Sequence, residues 1–277
     1  MDIKTLLVHV DTGPAAESRI RLALALAQRH GAHLVGAAVT GVSRFVTSAM
    51  LAAADDRLAA RCGALRDAAA EALRRFDALA RTAGLASYEI RLVDDDADGG
   101  LAALARYCDL AVVGQADHAA PLPDLGADLP EYLLLTSGRP VLVVPAAGAD
   151  WRPDAPALVA WDGSVEAIHA VTAALPLLRA ARSTTVVAFG VPPREARDGD
   201  PCTLLGAWLG RHGIAARACH RAAAGDVGEA LLSAAADLDA GLLVMGGYGH
   251  ARYRELVLGG VTATILRSLT VPVLLAH

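Results

Sequence analysis

The chain repeats itself, and that constrains its fold more than any other feature. Leu110, Val112, Gly114, His118, Leu134, Pro140, Val141 and Leu142 align without a gap, 132 residues apart, with Leu242, Val244, Gly246, His250, Leu266, Pro272, Val273 and Leu274. Self-similarity of this length means that one supersecondary pattern is used twice. The 277 residues then divide into two units of roughly 140, each large enough to bury its own core. Hydrophobic residues make up 54% and charged ones 20%, which supplies that core and excludes a disordered chain.

Within each copy, short apolar runs alternate with helical periodicity. Thr5–Val10, His33–Val39, Tyr88–Val93, Asp109–Val113 and Val141–Val144 read as strands. Between them Glu17–Gln28, Leu51–Ala83, Gly100–Tyr107 and Glu131–Thr136 read as helices. Residues 149–156 break the pattern with turn formers, after which the order restarts. Leu158–Trp161, Thr184–Phe189, Ala215–His220, Leu242–Met245 and Val273–Leu275 are the second set of strands. Strands alternating with helices give βαβ units. The expected fold is therefore α/β: two repeated doubly wound domains, 1–147 and 154–277, each a mainly parallel five-stranded sheet flanked by helices. Ligand crevices in such sheets open at the carboxyl ends of the strands. This puts Asp11 and Asp162, and the loops after Val113 and Met245, on the functional rim.

Several chemistries are excluded by composition. Lys4 is the sole lysine, outside any Gly-Lys-Ser/Thr context, so neither a Walker A loop nor a Schiff base is available. Aromatics are 4% and the net charge is -5, which disfavours nucleic acid as a partner. Cys62, Cys108, Cys202 and Cys219 form no Cys-x-x-Cys pair, and no zinc site is expected from such spacing. The start Met1-Asp2-Ile3-Lys4 lacks the features of a signal peptide, and apolar runs stay below the roughly 18 residues of a membrane span. A cytoplasmic protein without a membrane partner is expected. Asp94-Asp95-Asp96-Ala97-Asp98-Gly99 imitates a calcium loop, but Ala105 stands where its bidentate glutamate belongs; an acidic helix start explains it better. His30-Gly31-Ala32-His33 reads as a helix stop. No Gly-x-Ser-x-Gly elbow is present.

The chemistry concentrates after the fourth strand of the second half. Gly246-Gly247-Tyr248-Gly249-His250 is followed, with nine residues between Gly249 and Gly259, by Gly259-Gly260-Val261-Thr262 opening the last helix. Glycines let a backbone approach an anion closely, and a helix start adds unsatisfied N–H donors. A tight turn with glycines chosen for packing fits the same residues. The first half keeps the frame with other contents: Gly114-Gln115-Ala116-Asp117, then Ala127-Asp128. There Asp128-Leu129-Pro130-Glu131 reads as a capping box whose own carboxylate fills the helix start.

Gly-x2-Gly-x9-Gly after the fourth strand of a small α/β domain resembles the nucleotide-binding signature of the universal stress protein family, here over the whole chain as a tandem of two domains. The first-strand aspartate of Ala160-Trp161-Asp162-Gly163-Ser164 matches too. The resemblance implies a stress-response protein with an adenine nucleotide hydrolase-like fold. ATP or a related adenine nucleotide would bind in the second half, with or without Mg, and without efficient turnover. It implies phosphates held by Met245, Gly246, Gly249, His250, Gly259, Gly260, Val261 and Thr262, with Trp161, Asp162, Gly163 and Phe189 lining the adenosine side. Gly260 stands where the family carries Ser or Thr, so a phosphate-binding hydroxyl is lost, with Thr262 two positions on. Two other readings stay open: a scaffold protein with vestigial sites, and a slow ATPase with Asp162 as metal ligand. The apolar final strands are expected at sheet edges, paired with each other in an intramolecular pseudo-dimer; whole chains would form a homodimer.

Overall fold

The computed structural model describes residues 2–42, 56–116, 129–190, 200–222, 225–249 and 260–277. Ile3–Asp150 and Trp151–His277 form two compact units. Their meeting point lies inside the turn-rich stretch that interrupts the pattern of strands.

The first unit runs β1 (Thr5–His9), α1 (Ala16–His30), β2 (His33–Val39), α2 (Asp56–Thr82), β3 (Tyr88–Val93), α3 (Ala97–Ala105), β4 (Leu110–Gly114), α4 (Leu129–Thr136) and β5 (Val141–Val144). Its strands lie in the order β3-β2-β1-β4-β5, all parallel. The second runs β6 (Ala157–Ala160), α5 (Val165–Leu178), β7 (Thr184–Phe189), α6 (Pro201–Arg211), β8 (Ala216–Arg221), α7 (Val227–Asp237), β9 (Leu242–Gly246), α8 (Val261–Ser268) and β10 (Val273–Ala276). Its order is β8-β7-β6-β9-β10, again all parallel. β4, α4 and β5 recur as β9, α8 and β10 at the same offset of 132 residues. A helix precedes nearly every return to the sheet because parallel neighbours need a crossover. The central strands are buried on both faces, as Leu6, Leu7, Val8, Val112, Leu158, Val159 and Val244 show, and so read as continuous apolar runs.

In each unit the order of strands reverses beside the first strand, between β1 and β4 and between β6 and β9. A crevice forms at such a switch point. The loops after the first and fourth strands are thereby neighbours in space although some 80 residues apart in the second unit, and this positions the site.

Local sequence sets the element ends. Gly31 takes the left-handed conformation (φ 58°) that closes α1 and bonds its N–H to Ala27 and Gln28 carbonyls, so His30 and Gly31 form a helix stop. Asp96 caps α3, its carboxylate accepting from Gly99 N at 2.7 Å, which gives the acidic run its structural role. All four cysteines are free thiols. Among the described residues no helix is long and apolar enough to cross a membrane. Asp117, His118, Ala127 and Asp128 lie outside the described residues.

Candidate functional site

The carboxyl ends of β6, β7 and β9 and the start of α8 enclose a cavity of about 420 Å³ in the second unit, within the range of small-molecule sites. Trp161 and Asp162 enter it from the loop after β6, Phe189 from the end of β7, and Met245, Gly246 and Gly249 from β9 and its loop. Val261 and Thr262 close it from the first turn of α8. The structure thus gathers eight of the residues singled out in the sequence. Gly163 and Gly260 belong to the adjoining turns and do not line it; His250 and Gly259 lie outside the described residues.

The Asp162 turn is fixed from within. Asp162 Oδ1 accepts from Ser164 N at 2.9 Å and from Ser164 Oγ at 2.6 Å, and Ser164 Oγ accepts from Ala167 N at 3.1 Å to cap α5. Between them Gly163 adopts φ 78°. Asp162 therefore presents a half-committed, exposed carboxylate at the rim. Across the crevice the glycine loop is tethered by Gly247 N to Ala276 O at 2.9 Å, and by His277 Nδ1 donating to Gly247 O at 3.0 Å. Tyr248, nearly buried at φ 55°, donates its N–H to Thr262 Oγ1 at 3.3 Å. Thr262 is itself buried, so its hydroxyl ties the loop to α8 while lining the cavity.

The start of α8 differs from those of the other described helices in its unit. Ser164, Asp200 and Asp226 each cap a helix with a side-chain acceptor. Gly260, at the cap of α8, is extended and brings no side-chain hydrogen bond. Thr264 Oγ1 donates to Asp226 Oδ2 at 3.1 Å, anchoring α8 to α7. The Asp226 carboxyl is held below its ordinary value by the Glu229 N–H and the Thr264 hydroxyl, against a smaller upward push from burial. The first turn of α8 thus faces the cavity with backbone donors and the positive end of its dipole.

One residue sequence reading missed decides how the site behaves. Glu166, in the first turn of α5, also lines the cavity, and its Oε2 is buried without a hydrogen-bond partner. A Cβ on Gly249 would stand 3.2 Å from that oxygen, and one on Gly246 would run into the backbone of Ala167 at 2.6 Å. Gly246 is therefore glycine because α5 begins against it. Gly249 leaves room beside a carboxylate. The remaining wall is apolar, with Ala160, Val187, Val227 and Leu231; Trp161 Nε1 is buried there without a partner.

At the corresponding switch point of the first unit a buried arginine lies between the ends of β1 and β4. Arg19 on α1 is 4% exposed; its Nε donates to His9 O at 2.8 Å and its Nη2 to Asp11 Oδ2 at 2.7 Å. Its other terminal nitrogen lies against Gly114, where any Cβ would collide with it. Gly13 N donates to Asp11 Oδ1 at 2.8 Å. Burial pushes the Asp11 carboxyl up, but Arg19, His9 and the Gly13 N–H more than offset this and leave it below its ordinary value. Burial drives the His9 imidazole down to about 4, against the attraction of Asp11. The first glycine of the loop is here the seat of an internal cation.

Residues 213–277 match the universal stress protein family model. Over its whole length the chain is similar in fold to a universal stress protein from Archaeoglobus fulgidus DSM 4304, at 15% identity and a TM-score of 0.75, covering 100% of this chain and 97% of that one. A putative universal stress protein from Pseudomonas aeruginosa UCBPP-PA14 follows at 19% identity and a TM-score of 0.60, with 99% and 93% covered. No curated protein sequence matches the chain.

Proposed function

For a chain whose residues 213–277 match the universal stress protein family model and whose fold is similar to that of a universal stress protein throughout, we propose that the second-unit crevice binds ATP or a related adenine nucleotide. The phosphates face Gly246–Gly249 and the start of α8, and the adenosine lies along Trp161, Asp162 and Phe189. The uncapped first turn of α8 carries this reading: among the described residues of the unit, three helix starts consume a side-chain acceptor and the one facing the cavity does not. Apolar walls with a few polar groups suit a base and ribose. Turnover is inefficient on this reading, because phosphoryl transfer needs positioned cationic stabilisation and, among the described residues, none that lines the crevice is a lysine or an arginine. Mg²⁺ would neutralise the phosphates beside Asp162, whose carboxylate is exposed at the rim. On this reading the protein acts as a cytoplasmic, nucleotide-binding stress-response factor, with a slow ATPase as the alternative.

Glu166 makes the proposal quantitative. A carboxylate about 6 Å from a phosphate costs on the order of 1–2 kcal/mol at an intermediate effective dielectric. Glu166→Gln should therefore tighten ATP binding about tenfold. Gly249→Asp, which copies Asp117 of the first half, should weaken it about 100-fold or more by adding a second carboxylate and blocking the backbone. Titration calorimetry of the three proteins checks both. Equal affinities would place any nucleotide elsewhere, and absence of binding in all three would favour the scaffold reading, which Glu166 and the missing hydroxyl at Gly260 motivate.

The apolar character of β5 and β10 supports a second proposal, that the halves associate through these final strands, with homodimers of the whole chain as the next level. A separately expressed second half should then self-associate in sedimentation; a stable monomer would contradict the pairing.

A further inference from the structure

Away from the crevice, on the outer strand of the second unit, three chemically dissimilar donors converge. Asp200 caps α6, Cys202 follows two residues later on the same first turn, and His220 comes from β8, the strand against which α6 packs. One donor atom from each lies within 4.8 Å of the other two. His220 Nε2 is 2.7 Å from Asp200 Oδ1. The second carboxylate oxygen is held by Thr203, whose N–H donates at 2.9 Å and whose hydroxyl donates at 2.7 Å. Cys202 is fully buried behind them, while Asp200 and His220 are partly open to solvent.

We propose that Asp200, Cys202 and His220 form a zinc-type divalent metal site, with water in the fourth position. The donor set is the argument. A thiolate, an imidazole and a carboxylate together suit Zn²⁺ and exclude the all-oxygen preferences of Mg²⁺ and Ca²⁺. Bonds of about 2.0–2.3 Å in a tetrahedron place donors roughly 3.5 Å apart, so side-chain shifts of about 1 Å close the site. The Thr203 contacts are what a ligating carboxylate needs to hold its orientation. The soft ligand sits inside and the two harder ones at the opening, which gives the ion an entry path. On binding, the Cys202 thiol proton leaves to solvent and the imidazole proton moves from Nε2 to Nδ1, so the ring stays neutral and one proton is released. The ion then staples the start of α6 to β8, independently of whether nucleotide binds in the crevice.

The test uses the untagged, metal-free full chain titrated with Zn²⁺ by calorimetry and with Co²⁺ by absorption. One equivalent should bind, with a near-ultraviolet thiolate-to-cobalt band and tetrahedral visible bands. His220→Gln, Asp200→Asn and Cys202→Ser should each weaken Zn²⁺ by more than roughly 100-fold, beyond the losses seen on removing outer partners; Cys62→Ser should change nothing. His220 is partly exposed, so its variant reports even if the buried Cys202→Ser fails to fold. Absence of the thiolate band, or Zn²⁺ binding unaltered by His220→Gln, overturns the proposal.

Discussion

Arg19→Met should destabilise the first unit by about 3–5 kcal/mol, the cost of stripping the partner from a buried charge. Methionine matches much of the arginine stem, so the loss comes from two places. The Asp11 carboxylate keeps the Gly13 N–H but loses its cation, and the His9 carbonyl loses the Nε donor. With the guanidinium gone, burial dominates at Asp11 and its carboxyl rises relative to the native protein. Acidification should then cost the variant less than it costs the native chain. Arg19→Met/Asp11→Asn should recover part of the loss, because the charge without a partner is removed as well. The measurement must be chosen with care: Trp151, Trp161 and Trp208 all lie in the second half. Hydrogen exchange at the β1 and β4 amides follows the first unit directly. A loss below 1 kcal/mol there would mean that Arg19 merely fills space.

Acid should weaken the same unit earlier than carboxylate titration alone explains. The folded-state value of His9, about 4, lies below its ordinary 6.5. Between those values the unfolded chain takes up a proton that the folded chain refuses, so stability falls as pH falls through this window. The span of about 2.5 units corresponds to roughly 3 kcal/mol, complete near pH 4. Asp11, whose carboxyl is depressed, adds a separate loss at lower pH, as it is protonated. His9→Phe should flatten stability between pH 6.5 and 4 while leaving the lower-pH loss in place. An unchanged profile in that variant would assign the acid sensitivity to other groups.

Much of this was legible in the sequence, for specific reasons. Strands such as His33–Val39 and Val141–Val144 are continuous apolar runs, and buried parallel strands permit no alternation. Asp162, Gly246 and Gly249 could be placed because strand ends in an open α/β sheet converge on the switch point. Side-chain direction could not be read. Glu166 looks like an acid favoured by a helix start, and only the packing of α5 against Gly246 turns it into the cavity. Arg19 sits in an amphipathic helix beside Ile20 and looks like a surface residue; its burial depends on the absence of a side chain at Gly114, 95 positions away. Asp200, Cys202 and His220 span 21 residues with no metal-binding spacing, and only the pairing of α6 with β8 joins them. Missing, too, was the part Thr262 plays in holding the Tyr248 amide.

On the proposed function the two halves, built alike, divide the work: an open anion-binding crevice in the second and an internally neutralised site around Arg19 in the first. The stoichiometry of ATP binding to the full-length chain, measured by calorimetry with Mg²⁺ and followed in parallel by tryptophan emission, tests it most directly. One site per chain is expected, lost in Gly249→Asp and retained in Arg19→Met. Two equivalent sites, or a single site that survives Gly249→Asp, would contradict it.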